Sequence, residues 1–438
     1  MSLYEIRNTD VHDGLAAMPE RSVHCCVTSP PYWGLRDYGV AGQIGQEATP
    51  QEFVATLVRV FAGVWRVLRD DGVLFVNLGD SYCNTDKWGG GGKNTGKHST
   101  DGDDVPSWAV RAKKQSVAGL KPKDRCLVPE RFVLAMQEAG WYVRDVICWH
   151  KANPMPVSVR DRCTPAWEPI YMFTKRPRYF WDAEAVKVAS PTAGKPIKMA
   201  DGWDTGEGSH GTIHRNGREQ GAYTGVVQPV TANPRNVWAT PLDTLSRFEL
   251  ESLVREMAGD DMPDLWCISS EPLKSKHYAA FPSKLPTMCI KAATSELGVC
   301  SACLAPWVRI VERVAVSRER PNDLTKRHLD DGTGNACPNT VAGVASRTVD
   351  WKPSCDCNTG TIPATVLDPF SGAGTTCLAA TRLGRRSIGL ELSAEYCRLS
   401  RERIESELAE SEAEIEPTPA MLFDIAEQCE LFAEMAKR

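Results

Sequence analysis

The sequence predicts an α/β protein built on a doubly wound, mostly parallel sheet, and three observations predict it. Short apolar runs alternate with amphipathic helical stretches along the chain. Several of those runs are continuously apolar, as strands covered on both faces require. Near the carboxyl end a glycine turn follows one run and opens a helix.

Residues 3 to 28 read strand, helix, strand in "LYEIRN", "DGLAAMPE" and "VHCCVT". Residues 51 to 69 carry apolar residues at 53, 57, 60/61, 64 and 68, which predicts an amphipathic helix stopped by "DDG". "VLFVNLG" (73–79) follows as a buried strand. "PERFVLAMQEAG" (129–140) is a helix with proline at its start and glycine at its end, and "WYVRDVICW" (141–149) is a strand. An inserted helix is expected over 243–260. Residues 365–410 return to strand, glycine turn, helix, strand, helix. Residues 83–124 and 190–232 are polar, glycine-rich and aperiodic, so long surface loops of a functional or mobile kind are expected there. Residues 298–361 form a cysteine-rich module, and 411–438 an acidic tail broken by "PTP".

The bulk numbers fit this reading. With 438 residues, 42% apolar and 24% charged, the chain is long enough for one large domain with insertions or for two domains. No window of 18 apolar residues occurs, so no membrane span is expected. "MSLYEIRNTD" lacks the basic start and apolar core of a secretory signal, and a cytoplasmic location is expected. In that reducing setting the 16 cysteines should be thiols or metal ligands rather than disulfides. Cys25, Cys26, Cys148, Cys289 and Cys377 stand alone in apolar runs and read as core fillers.

The net charge of −5 looks wrong for a nucleic-acid binder, but the acids are concentrated. From Arg401 onward there are 11 acidic and 4 basic residues; the rest of the chain holds 47 basic and 45 acidic ones. The segment 108–125 carries six basic residues and one acid, a charge that can meet phosphates or simply solvate a loop.

In "LDPFSGAGTT", Gly372 and Gly374 allow a tight turn and close approach of the backbone to a ligand. Asp368, Pro369, Phe370 and Thr375 flank them. About 20 residues on, after the next strand, Glu391 stands where an acid typically accepts hydrogen bonds from ribose hydroxyls. The acid before the turn and the missing third spaced glycine set this pattern apart from a dinucleotide site. It resembles instead the S-adenosylmethionine (SAM) site of methyltransferases.

The second constellation is "TSPPYW". Ser29 offers a hydroxyl acceptor, the Pro30 carbonyl is held in one direction by the Pro30–Pro31 pair, and Tyr32 or Trp33 offers a ring face. A nucleobase amino group needs such acceptors, because its lone pair is delocalised until its N–H groups are bound. An extruded base needs a stacking surface.

"TSPPYW" followed by "DPFSGAGTT" resembles the β-class of DNA amino-methyltransferases, a circularly permuted arrangement, over most of the chain. The resemblance implies a Rossmann-like methyltransferase sheet. It places Asp10 near the cofactor adenine, Phe281 and Pro282 at the methionine end, and Asp80, Trp149, Lys151 and Asn153 beside Trp33 near the target base. It implies division into a catalytic half at 1–182 with a mobile loop at 83–124, a target-recognition region at 183–275, and a cofactor half at 276–297 and 362–410. Double-stranded DNA is the implied partner, and a cognate restriction endonuclease or none, monomer or homodimer, all stay open. Ser at position 29 favours cytosine N4 over adenine N6. Methylation of protein or RNA, and DNA binding without catalysis, are the other classes; intact Asp10, Ser29, Asp368 and Glu391 speak against the last.

The module at 298–361 is a departure from the family, as is the spacing of about 40 residues between "NPRNVW" and "HYAAFPSKLP". Cys300 and Cys303 have C-x2-C spacing, Cys355 and Cys357 follow, and four thiolates suit a structural zinc ion, with Cys337 as a spare candidate. "GGKNTGKH" (91–98) fails as a phosphate loop because His98 replaces the Ser or Thr. His150 is expected to flank the target pocket, and His24 to be a core histidine.

Overall fold

The computed structural model describes residues 3–35, 39–83, 119–151, 161–189, 231–232, 237–239, 266–267, 281–319 and 340–415. Asn153, the segment 91–98, the expected helix at 243–260, Cys337 and most of the 83–124, 183–275 and 411–438 segments lie outside them.

Nine strands form the central sheet: β1 (Tyr4–Asn8), β2 (Val23–Thr28), β3 (Leu68–Asn77), β4 (Tyr142–His150), β5 (Trp167–Thr174), β6 (Val237–Ala239), β7 (Trp266–Cys267), β8 (Thr365–Asp368) and β9 (Arg386–Glu391). Their order is β1-β9-β8-β2-β3-β5-β4-β6-β7. Only β5 is antiparallel to its neighbours β3 and β4. The chain runs outward from β8 through a helix to β9, while its neighbour β2 leads the other way to β3. The order thus reverses between β8 and β2, and ligands of open parallel sheets bind at such a point, outside the carboxyl ends.

Among the described residues six α-helices cover the two faces: α1 (Val11–Ala16), α2 (Pro50–Val67), α3 (Val128–Glu138), α4 (Lys284–Ala293), α5 (Thr375–Arg382) and α6 (Ala394–Ile415). Helix α2 starts as its sequence dictates. Thr49 and Glu52 form a reciprocal capping box, each bond 3.1 Å, with Pro50 in the first turn. Its buried stripe of Phe53, Leu57, Val60, Phe61 and Val64 packs with α1 and α3 on one face of the sheet. Phe132 of α3 sits 5.4 Å from Phe61 and 5.9 Å from Phe173 of β5, ring centre to ring centre. On the other face α4 and α5 cover Cys25, Val27, Val73 and Phe75. Each fully buried large side chain contributes about 1.5–3 kcal/mol. Cys25, Cys26, Cys289 and Cys377 are buried fillers, whereas Cys148 is half-buried.

One expectation is corrected, and one element was not expected. "DDG" does not stop α2: the helix ends at Val67, and β3 begins at Leu68 and includes those residues. Lys175 holds this polar start, donating to the Leu68 carbonyl (2.9 Å) and pairing with Asp70 (3.1 Å). The cysteine module contains a long antiparallel ribbon, Trp307–Glu319 with Thr340–Pro353, that its polar composition hides. Among the described residues no helix is long and apolar enough to cross a membrane.

Candidate functional site

The two predicted constellations, more than 300 residues apart in the chain, lie side by side. Ser29 follows the last residue of β2, Pro369 follows the last residue of β8, and those strands are direct neighbours with Leu367 opposite Cys26. Two side-chain bonds lock the junction. Thr28 Oγ1 donates to Asp368 Oδ1 at 2.6 Å, and Thr376 Oγ1 donates to the Val27 carbonyl at 3.2 Å.

Ser29, Pro31 and Tyr32 are half-buried and Pro30 is buried. Among the described residues no group bonds the Ser29 hydroxyl. The Tyr32 ring lies against Gly79, where an added Cβ would come within 2.3 Å of Tyr32 Cε2. Its hydroxyl donates to Glu168 Oε2 at 2.9 Å, with Asn77 Oδ1 the alternative acceptor at 3.0 Å. Lys151 forms an ion pair with the other oxygen of Glu168, and Asn77 Nδ2 donates to the Pro169 carbonyl at 3.1 Å. Lys151, Glu168, Asn77 and Tyr32 thus form one chain along the carboxyl ends of β4 and β3 and the start of β5. Sequence reasoning missed Asn77 and Glu168; a polar side chain at the end of each strand, in otherwise apolar runs, was the available signal.

In the glycine turn, Gly372 (φ +49°) and Gly374 (φ +74°) take the left-handed conformation. The Gly372 N–H donates to Glu391 Oε2 at 2.9 Å, and Glu391 Oε1 accepts from the Ser393 N–H at 2.8 Å. Each carboxylate oxygen keeps a further lone pair. Burial pushes the Glu391 carboxyl above its ordinary value. Asp10 lies two residues beyond β1, the strand next to β9, and caps α1 through the His12 N–H at 2.8 Å. Asp10, Glu391 and Asp368 therefore line up at the ends of three adjacent strands. Phe281 packs on the apolar cluster shared by α4, α5 and β2, and Pro282 is buried beside it. Pro369 is buried and Phe370 half-buried.

A Cβ on Gly374 would lie 2.0 Å from Ser400 Oγ. Gly374→Ala is therefore expected to destabilise the chain by about 1–3 kcal/mol, from the clash and the positive φ together. Urea unfolding measures it, and Ser400→Ala in the same chain should recover part of the loss.

The structure reassigns several predicted residues. Trp33 is 8% exposed and donates to the Glu47 carbonyl at 2.8 Å, so its ring is no stacking surface. It fastens the loop after Tyr32. Trp149 is 7% exposed and packs in the core, meeting Lys151 Nζ at 4.6 Å from its ring centre. Asp80 does not face a base. It accepts from the backbone N–H groups of Leu127 (3.1 Å) and Val128 (3.0 Å) at the start of α3, and pairs with Arg125 at 2.7 Å. The buried Thr375 hydroxyl accepts from Arg403 at 2.9 Å, so its side chain serves α6. Asp368 is 2% exposed and lies beneath the turn rather than in its opening. Burial pushes its carboxyl up to about 6, against the pull of its bonds from Thr28, Thr376 and the Phe370 N–H. His150 is exposed at the end of β4.

Cys300, Cys303, Cys355 and Cys357 converge, their sulfurs all within 4.8 Å of one another. They sit by the amino ends of β2 and β8, away from the crevice. His24 reaches this knuckle and is a buried core histidine as expected. Its Nε2 donates to the Leu304 carbonyl at 3.0 Å, and its Nδ1 accepts from the Thr365 N–H at 3.0 Å.

The N6/N4 DNA methylase family matches residues 23–300 and 359–402. The chain is 30% identical over 416 residues to Type II methyltransferase M.SfiI of Streptomyces fimbriatus, covering 88% of this chain and 87% of that protein. It is 28% identical over 393 residues to Type II methyltransferase M.XycI of Xanthomonas campestris pv. cyanopsidis, covering 90% and 85%. Among solved structures it is similar to the PvuII DNA methyltransferase (cytosine-N4-specific), at a TM-score of 0.45 and 16% identity over 92% of this chain and 86% of that one. With the family matched across most of its length and both of the family's sequence blocks joined at one crevice, the chain belongs to the N6/N4 DNA methylase family.

Proposed function

We propose that this protein transfers a methyl group from SAM to the exocyclic amine of a flipped base in double-stranded DNA, with cytosine N4 the target. The observation that carries the reading is the 2.6 Å bond from Thr28 to Asp368, which holds Ser29 beside the glycine turn.

The residues present fit the cofactor. Glu391 has lone pairs for ribose hydroxyls, Asp10 is on the next strand for the adenine, and Phe281 and Pro282 supply apolar walls. When bound, SAM supplies an electrophilic methyl group. Ser29 Oγ and the Pro30 carbonyl accept the two N–H bonds of the amine, pulling the nitrogen toward tetrahedral geometry and releasing its lone pair. Tyr32 stacks on the extruded base and holds it in line. The proton leaves to solvent after transfer, and no covalent enzyme intermediate is needed. Target reading is assigned to residues 183–275 with help from the basic loop at 85–125, and a structural zinc ion to Cys300, Cys303, Cys355 and Cys357.

Incubation with labelled SAM and DNA, RNA or protein, followed by digestion of labelled nucleic acid to nucleosides, tests the reading. N4-methylcytosine is expected. N6-methyladenine would move the base assignment, and label in protein or RNA alone would sink the reading.

Glu168 acts through Tyr32. Glu168→Ala should lower kcat about 10- to 100-fold while SAM affinity stays nearly constant, measured by steady-state methylation and calorimetry. Equal losses in both would contradict a role confined to the base.

A further inference from the structure

The thiolate knuckle is tied to the catalytic sheet by bonds that can be traced atom by atom.

Tetrahedral zinc with Zn–S bonds of about 2.3 Å places its sulfurs about 3.8 Å apart. The four sulfurs, within 4.8 Å of one another, need only a slight contraction to take that geometry. All four are free thiols. Four thiolates close the coordination sphere and leave no position for a reacting water, so a metal there is structural. The backbone already has the form of a knuckle. The Leu304 N–H donates to the Cys300 carbonyl at 2.9 Å, the Cys300 N–H donates to the Ala305 carbonyl at 2.8 Å, and Leu304 takes a left-handed φ of +61°. The Ser301 N–H donates to the Gly360 carbonyl at 2.9 Å, joining the two cysteine pairs, and Val299–Cys300 pairs with Thr361–Ile362.

Two carbonyls of this knuckle are gripped by the sheet. The Cys303 carbonyl accepts from Arg69 of β3 at 3.0 Å, and Arg69 is itself held by Asp71. The Leu304 carbonyl accepts from His24 of β2. The other nitrogen of His24 accepts from the backbone N–H of Thr365, the first residue of β8. One imidazole thus bridges the knuckle, β2 and β8, and it does so neutral, since burial pulls its pKa down to about 4. Thr365 is three residues before Asp368, and His24 is five before Ser29. At about 3.3 Å per residue, the bridge lies only about 10–17 Å behind the paired loops.

We infer that the thiolate centre is a brace: by fixing the Leu304 carbonyl on His24, the metal holds the amino ends of β2 and β8 in register and so couples its own occupancy to SAM affinity at their carboxyl ends. This inference rests on the assignment of zinc to the four cysteines. Without metal, the carbonyl that His24 needs belongs to a loop with four unpaired thiols, and the Thr365 N–H loses its fixed acceptor.

The experiment has separate readouts for the metal and for the brace. Elemental analysis of the purified full-length chain should find about one zinc per chain, and cobalt replacement should give the absorption of tetrahedral thiolate. Absence of both overturns the metal assignment and the brace with it, and leaves the methylation assay of the crevice unaffected. In the zinc-depleted chain, SAM affinity by calorimetry should fall about fivefold or more, with faster amide exchange over 364–368. Unchanged affinity and exchange in a depleted but folded chain overturn the brace. His24→Asn, kept zinc-loaded, covers the case in which depletion unfolds the protein. It is expected to retain the zinc, expose the Thr365 amide to exchange and weaken SAM binding about threefold to tenfold. Full SAM affinity in that variant overturns the brace as well.

Discussion

Replacing Ser29 by alanine is expected to lower kcat by about 10²–10³-fold while SAM affinity changes by less than about twofold. The hydroxyl is the one polar side chain of the "TSPPYW" stretch that no described residue engages, and it directly follows β2, the strand paired with β8, which leads into the glycine turn. In the proposed mechanism its removal takes away one of two acceptors for the amine, an interaction that strengthens only as the nitrogen becomes tetrahedral. The loss should therefore fall on the chemical step. Single-turnover methylation gives the rate and calorimetry the affinity. If both drop together, Ser29 shapes the cofactor pocket instead, and the roles given to Ser29 and Pro30 fail.

Asp368→Asn should make the protein more stable and a poorer binder of SAM. The native carboxyl is raised from 3.8 to about 6 because it is buried with hydrogen bonds and no cationic partner among the described residues. A folded pKa above the unfolded one means that the folded chain binds the extra proton. The stabilisation from that proton is complete below about pH 4 and is lost as pH rises through about 6. The rise corresponds to on the order of 3 kcal/mol. Asparagine has no proton to gain, so its stability should be flat across that window and exceed the wild type at pH 7.5. In the proposed function the same charge, lying under the turn, would attract the sulfonium and ammonium of SAM, so its loss should weaken binding at least about tenfold. Urea unfolding at pH 4.5 and 7.5, with calorimetry at 7.5, measures both. Wild-type stability that does not fall over that window relative to the variant, or undiminished SAM affinity, would refute this account. Thr28→Val should move the loss of stability to higher pH, because it removes a donor to the ionised form.

The two effects expected at Asp368 are opposed, since a group that a binding site needs can cost the apo fold stability. Glu168 differs: its charge is matched by Lys151, and it accepts from the Tyr32 hydroxyl.

Much of this protein was legible in its sequence because the information is local. The 3.6-residue stripe of α2, its Thr49–Glu52 capping box and the glycines at 372 and 374 each follow from neighbours within a few residues. So did the strand–helix alternation, and with it the doubly wound sheet. The sequence alone also set Ser29 and Glu391 at strand ends, and the structure has them there, Ser29 just after β2 and Glu391 as the last residue of β9. The antiparallel direction of β5 was not legible, since its apolar run reads the same either way. Nor could the sequence tell which aromatic rings open to the crevice. Trp33 and Trp149 are buried by residues from distant strands, and burial is a sum over such contacts. Asp80 is engaged by the start of α3, almost 50 residues away, because the free N–H groups there need acceptors. Sequence determined the elements and the chemistry at their ends. Tertiary structure decided which side chains are free to use that chemistry, because long-range packing and hydrogen bonding commit the rest.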